Sequence, residues 1–153
     1  MQYLELKIPP PLVGLGVALL MWLASLWVPG FAWPRAARLV VALVVAGLGV
    51  GISAAGVRSF ARAHTTVNPM KPDGASSLVT TGIFRFTRNP MYLGLLVILI
   101  GWAIFLANAA SLLILSVFVL YMNRFQIGPE ERVLSRIFGA EFAAYRSRVR
   151  RWL

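Results

Sequence analysis

The apolar residues fall into four uncharged runs, at positions 12–28, 39–57, 91–107 and 109–122. Each is too long for a strand and too uniformly apolar for one buried face, so each predicts a helix apolar all round. Pro29-Gly30 closes the first run, and a short loop holding Trp33, Pro34, Arg35 and Arg38 leads into the second. Only Asn108 separates the third run from the fourth, which predicts a tight antiparallel hairpin. The fourth run covers about 21 Å as a helix, against a hydrocarbon core of about 30 Å, so its helix must continue past Asn123 with Arg124 snorkelling, or sit in a thinned region. The expected architecture is all-α: a single membrane domain over residues 1–153, with about four transmembrane helices.

Two polar stretches interrupt this pattern. Residues 58–89 carry Arg58, Arg62, His64, Lys71, Asp73, Arg85 and Arg88, broken by Pro69, Pro72 and Gly74. This predicts a structured loop after a short extension of the second helix. Gly128-Pro129 is expected to end the hairpin, and Glu130-Glu131 to open a final helix with acids in its first turn, where the helix dipole favours them. Leu134, Phe138, Phe142, Tyr145, Val149 and Trp152 then recur at three- and four-residue steps among six arginines. That is a basic amphipathic segment, interrupted near Gly139, whose arginines are expected to meet lipid head groups.

Composition sharpens the class. Of 153 residues, 59% are apolar and 13% charged, more apolar surface than a soluble domain of this size can hide. No cysteine is present, and one histidine with five acids makes no metal cage, so no metal site is expected. The net charge of +10 fits anionic lipid better than nucleic acid, because no soluble nucleic-acid module is visible. A signal peptide competes for the first run, but Glu5 beside Lys7 and the lack of a small-x-small cleavage site favour a retained span. Four spans would put thirteen basic residues on one side, namely Lys7, five in the long loop and seven from Arg124 onward. Only Arg35 and Arg38 fall on the other. The positive-inside rule then predicts both termini in the cytoplasm. Gly47-Leu-Gly-Val-Gly51 lies inside an apolar run with no strand before it, so it reads as a small-residue packing face through Gly47 and Gly51 rather than a nucleotide loop.

The chemistry concentrates in Gly82-Ile-Phe-Arg-Phe-Thr-Arg-Asn-Pro-Met-Tyr92. Asn89 and Pro90 suit an N-cap and a first helical turn, so the stretch delivers Arg85 and Arg88 to the mouth of the third helix. The hairpin must then bring Arg88 and the pair Glu130-Glu131 to similar depth. A structural salt bridge would explain that; a zwitterionic ligand fits as well, with arginine for a carboxylate and glutamate for an ammonium.

These residues resemble a known signature. Residues 81–94, with Gly82, an aromatic, Arg88-Asn89-Pro90 and Tyr92, look like the motif of the isoprenylcysteine carboxyl methyltransferase and phospholipid methyltransferase superfamily. Glu130-Glu131, Phe138-Gly139 and Tyr145 resemble its second half, and residues 64–69 an upstream segment of bacterial members. The resemblance covers roughly residues 58–152 and makes residues 58–153 the methyltransferase-like core behind two N-terminal spans. It implies a multi-pass methyltransferase of the bacterial inner membrane using S-adenosyl-L-methionine, with S-adenosyl-L-homocysteine as product. Its cofactor site would be lined by Arg88, Asn89, Tyr92 and Glu131, with Glu130 as the alternative acid and with Gly82 and Phe84 as pocket wall. Arg88 and Glu131 would be the catalytic pair, Arg88 suiting a carboxylate acceptor and Glu131 an amine. Asn89 stands where eukaryotic carboxyl methyltransferases usually have His, which weakens the case for a prenylcysteine acceptor. The expected partners are the lipid bilayer and a hydrophobic or amphiphilic methyl acceptor. Two rival readings are a non-catalytic membrane scaffold and a four-span transporter; the latter lacks an ionisable residue within any run.

Overall fold

The computed structural model describes residues 5–63 and 76–153. Among these the chain is all-helical: α1 (Pro10–Ser25), α2 (Arg35–Arg62), a 3-10 turn (Gly82–Arg85), α3 (Pro90–Leu106), α4 (Ala109–Tyr121), a π-helical turn (Met122–Ile127) and α5 (Gly128–Arg148). His64 and the rest of residues 64–75 lie outside the described residues.

Helices α1 and α3 both begin on prolines, whose fixed φ suits a first turn and whose missing N–H needs no partner there. Asn89 precedes α3 but makes no side-chain cap bond, contrary to expectation; its amide is used elsewhere. Asn108, by contrast, caps α4: its side chain accepts from the Ser111 amide at 2.9 Å. The hairpin turns on Ala107, held at φ 50°, and the Ala107 carbonyl takes the Phe31 N–H at 2.6 Å.

The helices are apolar on the outside as well as the inside. Leu15, Leu43, Leu113 and Leu120 are each more than 60% exposed, a surface that hydrocarbon would cover. Among the described residues, two continuous helices are long and apolar enough to cross a membrane: Arg35–Arg62 and the run Ala109–Arg148, the latter through its apolar first part. Helices α1 and α3 are shorter apolar helices packed beside them. This is a helical membrane protein. Its core joins Val17 and Met21 of α1, Tyr92, Leu99 and Ala103 of α3, Phe118 of α4, and Met122 and Ile127 of the π turn.

Small residues set the closest helix contact. Helix α2 packs along α3 with Ala42, Gly49 and Gly56 buried in the seam. A β-carbon on Gly49 would lie 2.6 Å from the Gly94 carbonyl oxygen, and one on Gly101 2.8 Å from that of Ala42. The packing face expected through Gly47 and Gly51 is therefore corrected to one through Gly49 and Gly56. Gly47 and Gly51 are exposed with nothing near them, because at 3.6 residues per turn neighbours two apart point to different sides.

The second correction is at Gly128-Pro129, which does not end the helix. Gly128 keeps helical angles (φ −58°, ψ −49°), and its N–H reaches back to the Asn123 carbonyl, one residue further than in an α-helix. Pro129 then sits in the first turn of α5. The Phe125 carbonyl, which a non-proline at 129 would have satisfied, instead accepts the Leu6 N–H at 3.0 Å. The interruption expected near Gly139 is present: φ 47° and ψ −117° bend α5 in its middle. The bend returns the chain over the start of α3.

Candidate active site

The N-terminal end of α3, the start of α5 and the residues after α5 meet at one end of the bundle. Gly82 takes φ 62°, a conformation that favours glycine, and turns the chain into the 3-10 turn. Phe84 is buried there, its ring edge-to-face with Phe60 of α2 at 5.2 Å. The Tyr145 hydroxyl donates to the Phe84 carbonyl at 2.7 Å, and burial pushes that hydroxyl up to about 12. The turn is thus pinned to both α2 and α5.

Arg88 is the hub of the site. Its Nη2 donates to Glu131 Oε1 at 2.6 Å, its Nη1 to the carbonyls of Val149 and Arg146, and its backbone N–H to the Arg150 carbonyl at 3.0 Å. Thr87 and Asn89 both donate to the Arg151 carbonyl, Asn89 from Nδ2 at 2.9 Å. The motif thus clamps the segment 146–151 mainly through its backbone. That segment returns one side chain: Arg151 Nη2 and Nε meet the two Glu131 oxygens at 2.6 and 3.1 Å. Asn123 in the π turn fixes the end, its Oδ1 accepting from Trp152 Nε1 at 3.1 Å and from Arg151 Nη1 at 3.4 Å.

The two glutamates do different things. Burial alone would raise the Glu131 carboxyl, but the hydrogen bonds from Arg151 and Arg88 outweigh it and hold the group below the usual carboxylate range. Glu130, about 100° round the helix, turns to α3 and accepts the Tyr92 hydroxyl. Burial raises Glu130 to about 8; the Tyr92 bond opposes the rise and the Glu131 charge adds to it. The two acids have been pushed apart by environment, a pattern common at functional sites.

An open groove of about 680 Å³ lies beside this cluster, lined by Gly128, Glu131, Arg132, Ser135, Arg136, Arg146 and Arg151. That is the size range of small-molecule sites. Of the residues expected at the site, Glu131 lines the groove. Arg88 touches it through Glu131, Asn89 holds the chain behind it, and Tyr92 faces Glu130. Gly82 and Phe84 shape the neighbouring turn. One residue of the site was not expected there: Arg151, expected at lipid head groups, is paired with Glu131. Trp152 packs against the core and donates to Asn123. In the sequence, the bend at Gly139, which turns the tail back, is the signal that could have found Arg151.

Residues 37–141 match the family model for phospholipid methyltransferase. The chain belongs to that family. Within the wider superfamily it is 30% identical over 88 residues to protein-S-isoprenylcysteine O-methyltransferase B of Arabidopsis thaliana, covering 58% of this chain and 45% of the relative. It is 35% identical over 82 residues to protein-S-isoprenylcysteine O-methyltransferase of Saccharomyces cerevisiae, covering 52% and 33%. The chain thus matches less than half the length of these two relatives. An uncharacterized protein of Haemophilus influenzae is 46% identical over 63 residues, which is 41% of this chain and the whole of that protein. No solved structure matches. The family match takes in the Gly82–Tyr92 motif, both glutamates and the Gly139 bend, and it stops before the tail that carries Arg151.

Proposed function

We propose that this protein is an S-adenosylmethionine-dependent methyltransferase acting on a lipidic or amphiphilic acceptor at the cytoplasmic face of a membrane. The observation that carries the reading is the Arg88–Glu131–Arg151 cluster opening onto a groove of cofactor size. Family membership supplies the reaction class.

The donor set fits the cofactor's amino-acid end. Arg136 and Arg146 line the groove as cations without an ion-pair partner among the described residues, and either suits a carboxylate. Glu131 has about four lone-pair sites, of which the two arginines occupy three, leaving one on Oε2 for an ammonium. Flat guanidinium faces along the groove suit stacking with a purine. When bound, S-adenosylmethionine supplies a methyl group already activated on a sulfonium.

The chain's own task is then orientation, which can contribute several kcal/mol to a transfer needing reacting atoms about 3–3.5 Å apart. Arg88 does this by gathering Glu131 and the carbonyls of 146 and 149 into one rigid unit. Glu130, raised by burial and held by the Tyr92 hydroxyl, is turned to α3 and is not part of the groove lining, so it braces the start of α5 rather than taking a proton. The arginine-rich end carrying the site faces the cytoplasm by the positive-inside rule, where a charged cofactor is available. The exposed apolar faces beside it give a hydrophobic acceptor lateral access from the bilayer.

Calorimetric titration of the protein in lipid nanodiscs with S-adenosylmethionine and S-adenosylhomocysteine tests this. Saturable binding by the wild type, lost in Arg146→Ala and Arg151→Ala, is the expected outcome, with radiolabelled methyl appearing in the lipid extract on turnover. Absence of binding by a folded, lipid-embedded sample would sink the enzyme reading in favour of a scaffold.

A further inference from the structure

Residues 5–8, ahead of α1, make four bonds to one place. Glu5 Oε1 accepts from Arg124 Nη1 at 2.7 Å, and Glu5 Oε2 accepts from Arg132. The Leu6 N–H donates to the Phe125 carbonyl at 3.0 Å. Gln126 Nε2, on a side chain with no exposed surface, donates to the Ile8 carbonyl at 2.6 Å. Three consecutive residues of the π turn are therefore each tied to this segment. Leu6 adopts φ 56° to make the connection, an unusual conformation for a branched side chain.

The π turn sets the direction of every α5 side chain. It holds one residue more per turn than an α-helix, so it rotates everything downstream by about 100°. Glu131 faces Arg88 and Arg151 only in the π register; with Gly128 bonded to Arg124 in α register, that face would turn away. A π turn is intrinsically less favourable than the α-helix it interrupts, and Pro129 leaves the Phe125 carbonyl without a helical donor. Leu6 supplies that donor. Glu5 links Arg124 within the turn to Arg132 after it, and Arg132 also lines the groove. Asn123, in the same turn, anchors Arg151 and Trp152.

We propose that residues 5–8 form a positioning strap that holds the π register, with Glu5 as its principal side chain, and so keeps Glu131 and the tail 146–153 assembled. Glu5 is a positioning residue: it acts through Arg124 and Arg132 and touches neither cofactor nor acceptor. Its consequence for cofactor affinity rests on the methyltransferase reading. Its consequence for the tail does not.

The test uses the whole chain in nanodiscs with Glu5→Gln, Glu5→Asp, Arg151→Ala and the double variant Glu5→Gln/Arg151→Ala. Hydrogen exchange followed by mass spectrometry reads the tail peptide 146–153 and the turn 122–128, and calorimetry reads S-adenosylhomocysteine affinity. In Glu5→Gln, exchange of the tail is expected to rise about threefold to tenfold, with Glu5→Asp recovering part of the protection. Affinity should fall by a similar factor. In the Arg151→Ala background the Glu5 substitution should add little further tail exchange, because the two act through one register. Tail exchange and affinity both unchanged in Glu5→Gln overturn the proposal. So does a uniform rise in exchange across α2 and α3, which would make Glu5 a general stabiliser. Wild-type failure to bind S-adenosylhomocysteine, with the tail effect intact, would overturn the methyltransferase reading and leave the strap standing.

Discussion

Replacing Glu131 with Gln keeps the side chain's shape and removes its charge. Glu131 is buried and accepts three N–H donors from two arginines, at 2.6, 2.6 and 3.1 Å. Gln offers one oxygen, which can retain the donors on one side. Its NH₂ must then face an arginine N–H on the other side, donor against donor. Losing a charge-assisted bond costs about 1.5–3 kcal/mol, and a partly buried guanidinium left without its counter-charge adds to this. Arg151 keeps about a third of its side-chain surface, so solvent recovers some of the loss. The net cost is about 3 kcal/mol, or roughly a hundredfold in the equilibrium that docks the tail against α3. The assay pairs hydrogen exchange over residues 146–153 with S-adenosylhomocysteine titration, and both should change by one to two orders of magnitude. Acid behaviour supplies a second check. The folded-state pKa of Glu131 lies below its unfolded value, so its stabilisation is present above the unfolded value and lost as pH falls through the folded one. The wild-type tail should therefore loosen at acid pH through a step that Glu131→Gln lacks. Tail protection and affinity within twofold of wild type in Glu131→Gln, with the acid step unchanged, would refute the view that this carboxylate holds the site together.

Glu130 carries the opposite sign: its folded pKa of about 8 exceeds the unfolded value near 4.5, so it favours the folded state less as pH rises through that window. Glu130→Gln should flatten the fall of melting temperature between about pH 4.5 and 8, read by thermal unfolding in detergent. Gly94→Ala puts a β-carbon 2.5 Å from the Gly49 carbonyl and against Ser53, so it should lower stability by about 3 kcal/mol or more. Gly47→Ala meets nothing and should be neutral or stabilising by up to about 1 kcal/mol in the same melts. Gly139→Ala forces a β-carbon onto φ 47°, ψ −117° and should cost about 1–3 kcal/mol, with circular dichroism and tail exchange showing a loosened second half of α5.

Much of the bundle was legible because membrane helices are specified locally. Unbroken apolar runs, proline starts and one Asn108 cap fix where the helices lie, since each satisfies its own backbone bonds. The motif around Arg88 and the acids at 130–131 were legible for the same reason: the hairpin leaves them nowhere else to meet. Helix faces were harder. Choosing between Gly47 and Gly49 depends on which side of α2 the partner helix occupies, and an all-apolar helix has no moment to indicate it.

The helical membrane class, the family and the residue types of the site are written in the sequence, because they depend on apolar length and local motif. Three outcomes needed the packed molecule: which glutamate faces the arginines, that Arg151 belongs with them, and that the helix runs through Gly128-Pro129. They depend on one extra residue in a single turn and on a bend at Gly139. Each rotates or reverses everything beyond it, and neither the donor from Leu6 nor the carbonyls that Arg88 grips are near in sequence to the groups they satisfy.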